Sequence, residues 1–266
     1  MRSGLLRVFP AMILIGLAAW EIARVRAAPG GVPGDEDWDT AAELVRTQFQ
    51  PGDLIVFAPD WIDPVGRLHL GDLIPLDAAG RMDDARFGSV WELSIRGARA
   101  PEATGEMNIE TDTGGVTVRH FVRPAAEVVT DLVAQVGKAQ VTGERDRGPT
   151  ADLFEVGFAP HRCVLVVPRP DRTVTITYRG IALGKELVGY VGLADVFKRR
   201  DVRDPGRMVV SVGEQEVATV TVDNDSGWTR FAAPTAPGTG DVTIALTAVG
   251  PTAKDRLLCF AAEARR

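Results

Sequence analysis

Three runs decide the fold: TVTITY at 173–178, MVVSVGEQEVATVTV at 208–222 and VTIALTA at 242–248. In the last, Val242, Ile244, Leu246 and Ala248 point one way and Thr243, Ala245 and Thr247 the other. That period of two marks a half-buried strand. Val174, Ile176 and Tyr178 alternate with Thr173, Thr175 and Thr177 in the same manner. Met208, Val210 and Val212 lead into Gly213-Glu214-Gln215-Glu216, a hairpin turn from which Val217–Val222 return. Short strands with turns at regular spacing, from Thr173 to Ala262, predict a β-sandwich.

Upstream, the organisation changes. Met1–Ala28 reads as a targeting segment, with Arg2 and Arg7 before a nearly apolar stretch from Val8 to Ala19. Its uncharged core is short for a spanning helix, which needs about 20 residues, and suits a signal peptide. No good cleavage site follows, because Arg24 and Arg26 intrude, so an uncleaved single-pass signal anchor is the expectation, with a cleaved signal peptide as the alternative. Residues 29–36 are a Pro/Gly linker. Asp37 is expected to cap a helix over about Trp38–Phe49, with Trp38, Ala41, Ala42, Val45 and Phe49 on one face. Leu54–Ala58 is a continuous apolar run, suited to a strand buried on both faces. Val90–Ile95 and Val116–Val122 read as further strands, and Ala98–Gly115 as a polar, Gly-rich connection.

The fold class expected is therefore a small α/β domain (37–125) followed by an all-β jelly-roll sandwich (128–266), preceded by one N-terminal membrane or signal helix. Val128–Val141 is assigned to a strand, although helical spacing fits about as well, and Gly143–Thr150 to a charged loop.

Composition excludes some functions. The 266 residues carry a net charge of -6 and a pI near 5.2, which argues against non-specific nucleic-acid binding. Two cysteines, Cys163 and Cys259, fall in strand-like runs. They are either buried thiols or one bridge, the latter only in an oxidising compartment. Nothing matches G-x-S-x-G, a phosphate-binding loop or a dinucleotide fingerprint, and no cofactor is indicated.

Two stretches hold candidate functional residues. The segment after the Leu54–Ala58 strand carries Asp60, Trp61, Asp63, His69 and Asp72, at the carboxyl end where ligands gather in open α/β sheets. Paired carboxylates could serve acid/base chemistry on a sugar; as turn and cap residues they would be structural. The second stretch is Asp223-Asn224-Asp225-Ser226-Gly227-Trp228-Thr229-Arg230. An aromatic ring beside Arg230 and Asn224 donors is the composition of a sugar site, while Asp223 and Asp225 are weak metal-ligand candidates. The alternative is a core Trp228 and a solvated turn. The charge run Phe197-Lys198-Arg199-Arg200-Asp201 reads as solvated surface.

Two resemblances follow from quoted residues. Trp38-Asp39-Thr40-Ala41-Ala42-Glu43-Leu44, Gln50-Pro51-Gly52-Asp53-Leu54-Ile55-Val56-Phe57-Ala58-Pro59 and Ser89-Val90-Trp91-Glu92-Leu93 resemble, over about residues 36–125, the exported soluble domain of bacterial protein-mannosyltransferase-like (GT-C) glycosyltransferases. The chain departs from that family in having one membrane segment and no early acidic membrane loop. The resemblance thus implies placement outside the inner membrane, near sugar or lipid-linked saccharide, and not transferase activity. The 208–222 hairpin, Asp225–Phe231, Asp241–Leu246 and Arg256-Leu257-Leu258-Cys259-Phe260 resemble a galactose-binding-like jelly-roll domain, which implies glycan binding. The expectation is a non-catalytic, membrane-anchored envelope protein that binds glycan. The alternatives are an enzyme at the Asp60–Asp72 loop and a scaffold for envelope protein partners.

Overall fold

The structure, a computed structural model, describes residues 5–27, 32–194, 204–251 and 256–266. The charge run at 197–201 lies outside the described residues. The chain divides into two compact units, Met1–Leu73 with Ser89–Arg123, and Ile74–Gly88 with Pro124–Arg266. Residues 74–88, read above as part of the first domain, thus belong with the sandwich.

In the first unit, helix α1 (Leu5–Ala27) precedes α2 (Asp35–Gln48). Among the described residues, no helix is long and apolar enough to cross a membrane. Glu21, Arg24 and Arg26 cut the apolar run of α1 short, so the expected spanning anchor is not borne out. Helix α2 starts two residues before the expected cap. Asp37 lies inside its first turn and accepts the Gly34 N–H at 2.8 Å. Three acidic residues in that turn face the positive end of the helix dipole. The helix buries Trp38, Ala41, Ala42 and Val45.

Strand β1 (Leu54–Ala58) is buried throughout. After it come α3 (Asp63–Leu70), α4 (Leu76–Ala79), β2 (Ser89–Ile95), β3 (Glu106–Asp112) and β4 (Val116–Val122). The sheet order is β1-β2-β4-β3, with β1 and β2 parallel and the other pairs antiparallel. Strand β3 occupies the polar connection expected between Ala98 and Gly115. As an exposed edge strand it has no buried face to impose alternation on its sequence. Glu92 on β2 is fully buried and satisfied, by Arg119 at 2.8 Å and by the Ala100 N–H at 2.6 Å.

The second unit holds β5 (Val128–Asp131), α5 (Leu132–Gln135), β6 (Gln140–Thr142), β7 (Arg145–Val156), β8 (Ala159–Pro168), β9 (Thr173–Leu183), β10 (Glu186–Leu193), β11 (Gly206–Val212), β12 (Gln215–Val222), β13 (Thr229–Pro234), β14 (Gly238–Ala248) and β15 (Leu258–Arg265), besides α4. One sheet runs β13-β10-β15-β8-β7, with β5 on β15; the other runs β12-β11-β14-β9-β6. From β8 to β15 the chain passes between sheets in the order of a jelly roll, with β13-β10-β15-β8 and β12-β11-β14-β9 as its two four-stranded layers.

The alternation read from the sequence holds. Val174, Ile176, Tyr178, Val242, Ile244, Leu246 and Ala248 are all buried, and on the outer face Thr173 pairs with Thr247 and Thr177 with Thr243. Thr173 and Thr247 hydroxyls lie 2.8 Å apart. Two expectations need correction. Val128–Val141 is not one strand: the Asp131 carboxylate caps α5 by accepting the Val133 and Ala134 N–H groups, which stops β5. The charged loop at 143–150 mostly belongs to β7, where two register irregularities blur its periodicity. Cys163 and Cys259 form a disulfide that ties β8 to its neighbour β15.

Candidate functional site

The outer face of the β13-β10-β15-β8 sheet brings four of the sandwich's polar and aromatic residues together. Tyr190 on β10 lies opposite Arg230 on β13 and Ala261 on β15. Trp228 stands in the bend that leads into β13, and its half-buried ring packs in part against the sandwich core. Its indole stacks on His161 of β8 with centroids 4.3 Å apart and planes at 9°. His161 in turn meets the edge of Tyr190 at 5.8 Å. The Trp228 Nε1–H donates to the Ala159 carbonyl at 2.8 Å, which fixes the indole against the start of β8. Trp228 is half-buried and Arg230 exposed, so the patch offers rings at the surface beside a guanidinium.

The same face carries a buried ionic group. Arg265 on β15, 2% exposed, donates to both Asp83 oxygens at 2.7 and 3.0 Å and to Glu263 at 2.8 Å. Asp83 comes from the 74–88 segment. Nearby, a small cleft is lined by Gly80, Arg81, Arg86, Asp131, Arg162 and Glu263 among others. Its charges answer one another: Arg86 lies 3.8 Å from Glu263, and Arg162 lies 3.7 Å from both Asp77 and Asp131.

Burial, reinforced by Arg81 and opposed by Asp83, pushes the His161 imidazole down to about 4. At neutral pH it is therefore an uncharged ring, as a stacking partner should be. The sign for stability follows from linkage. The unfolded His161 takes up its proton near pH 6.5 and the folded one only near 4, so stability is full above pH 6.5 and falls between 6.5 and 4. The expected loss is about 3 kcal/mol. It should disappear from the pH dependence of urea unfolding in His161→Gln, whose profile would otherwise match the parent's.

The remaining residues of the second stretch build a turn. Asp223 Oδ1 accepts the Asp225 N–H at 3.0 Å and the Ser226 hydroxyl at 2.6 Å, and the latter bond above all holds the carboxyl below its ordinary range. Asn224 is half-buried between them. The metal alternative at Asp223 and Asp225 is not supported by this geometry. Among the described residues, no group of three His, Cys, Asp or Glu side chains is placed to hold a metal ion.

The Asp60–Asp72 candidates do not converge. Asp60 is exposed at the start of a 3-10 turn. Asp63 pairs with Arg67 at 2.5 Å, His69 Nδ1 lies 2.8 Å from Asp39, and Asp72 binds Arg46 through both oxygens at 2.6 Å. Trp61 is 63% exposed, with the Arg96 guanidinium 5.9 Å over its ring. It belongs to the first unit, not to the sandwich.

His161 and Tyr190 are the members that sequence reasoning missed. The available signal was the alternation His161, Cys163, Leu165 and the lone Tyr190 in an apolar run, but only the strand register brings them to Trp228.

No family model matches the chain, and no curated protein matches it. Similar solved structures include the C-terminal family 6 carbohydrate-binding module of a laminarinase from Zobellia galactanivorans, at 13% identity over 47% of this chain and 99% of that one, with a TM-score of 0.28. A CBM51 module from Clostridium perfringens in complex with methyl-galactose matches at 10% identity over 52% and 94%, with a TM-score of 0.33. A module of a Cellvibrio mixtus lichenase in complex with cellotriose matches at 13% identity over 53% and 98%, with a TM-score of 0.27. At these scores the likenesses carry no weight for what this chain binds, and none of these matches is to a glycosyltransferase.

Proposed function

We propose that the sandwich is a non-catalytic glycan-binding module of an exported protein. The observation that carries this reading is the Trp228–His161–Tyr190 group beside exposed Arg230 on one sheet face. An indole held by stacking and by its Nε1–H bond presents a rigid apolar surface to a sugar ring, and Arg230 supplies donors for its hydroxyls. Export is supported by the Cys163–Cys259 disulfide, which needs an oxidising compartment, and by the basic, then apolar, N-terminal sequence, which we assign as the leader. Placement in the bacterial envelope, facing outward, goes with that assignment.

The test is glycan-array binding by the full chain beside Trp228→Ala and Arg230→Ala. Each variant should weaken binding at least about tenfold, the scale of one lost aromatic or charge-assisted contact. Arg230 is exposed, so its variant keeps the fold and separates binding from stability. A parent that binds no glycan, or two folded variants that bind as the parent does, would defeat the proposal.

A further inference from the structure

Strands β7 and β8 are joined by a two-residue turn, Gly157-Phe158, between the paired residues Val156 and Ala159. Both turn residues have positive φ, 59° and 69°. That is the signature of the type I′ hairpin turn, whose positions favour Asn, Asp and Gly because a Cβ is strained there. Phe158 breaks this preference, and it is also 87% exposed. A bulky aromatic that is both strained in its backbone and stripped of packing is poorly explained by stability. Its place gives a reason. The next residue, Ala159, is the one whose carbonyl holds the Trp228 indole. Phe158 therefore stands one residue, about 3.8 Å along the chain, from the anchor of the proposed sugar platform.

We infer that Phe158 is a second stacking platform, and that the site takes a chain of two or more sugars rather than a single one. This rests on the glycan-binding reading. One ring would lie at the Trp228–Tyr190–Arg230 patch and a neighbouring ring against Phe158 at the hairpin tip. The turn strain is tolerated because it projects the ring into solvent, where a ligand can reach it.

The experiment uses the full chain, Phe158→Asn and a ladder of mono- to hexasaccharides on a glycan array. Asn suits the turn, so this variant should melt at the same temperature as the parent or a few degrees higher. It should bind di- and longer saccharides about tenfold more weakly, with any monosaccharide signal unchanged. Equal binding of parent and variant at every length overturns the inference alone, as does a parent that prefers monosaccharides or a variant that is less stable. A parent that binds no saccharide overturns this inference and the glycan reading together.

Discussion

Replacing Cys163 and Cys259 by serine is expected to destabilise the sandwich by about 4 kcal/mol, the scale for a bridge that closes a loop of this length. The cysteines are 96 residues apart in sequence, so the bridge removes much freedom from the unfolded chain. Both side chains are fully buried, and the serine hydroxyls would enter an apolar site without their own partners. Urea unfolding of the parent, with and without prior reduction, gives the comparison. The reduced parent should resemble the double variant. A loss below about 1 kcal/mol would mean that the unfolded chain is already constrained between these positions. The result also bears on where the protein works, since a reducing compartment would leave it in the weakened form.

Arg265→Met should cost a further large amount, about 3–5 kcal/mol. The substitution keeps much of the side-chain volume. It takes from Asp83 the guanidinium that binds both its oxygens, and leaves Glu263, only 6% exposed, with Arg86 at 3.8 Å as its remaining ion-pair contact. The damage comes from the uncompensated carboxylates rather than from the lost attraction, because a buried pair roughly offsets its own desolvation. Combining Arg265→Met with Asp83→Asn and Glu263→Gln should therefore recover most of the loss. If the single variant unfolds like the parent, or the triple variant is worse than the single, the account of this group is wrong.

The sandwich was legible where one face is buried. Strands β9 and β14 and the β11–β12 hairpin show their alternation because their outer faces meet solvent and can carry Thr, Glu and Gln. The β1 strand was legible as an apolar run for the opposite reason, burial on both faces. Strands β3 and β7 were not, since an exposed edge and an irregular register each remove the pattern that betrays a strand. The site was half-legible. Trp228 and Arg230 lie in one short stretch, whereas His161 and Tyr190 reach them only through strand pairing across tens of residues. Asp83 was hidden for the same reason, 182 residues from its partner Arg265. The carboxylates of the Asp60–Asp72 loop looked like chemistry because spacing shows proximity but not the basic partners that Arg46 and Arg67 supply.

Strand β15 has a consequence for how the protein is made. It lies between β10 and β8, so the latest strand of its sheet to be synthesised is a central one. While the ribosome is still short of Leu258, β8 and β10 have no common neighbour and Cys163 has no partner. The sandwich is therefore completed late, by contacts between distant parts of the chain, and such topologies fold slowly. Under the export proposed above, a sandwich that stays open until this strand arrives leaves the chain in a form that a translocation pore can still thread.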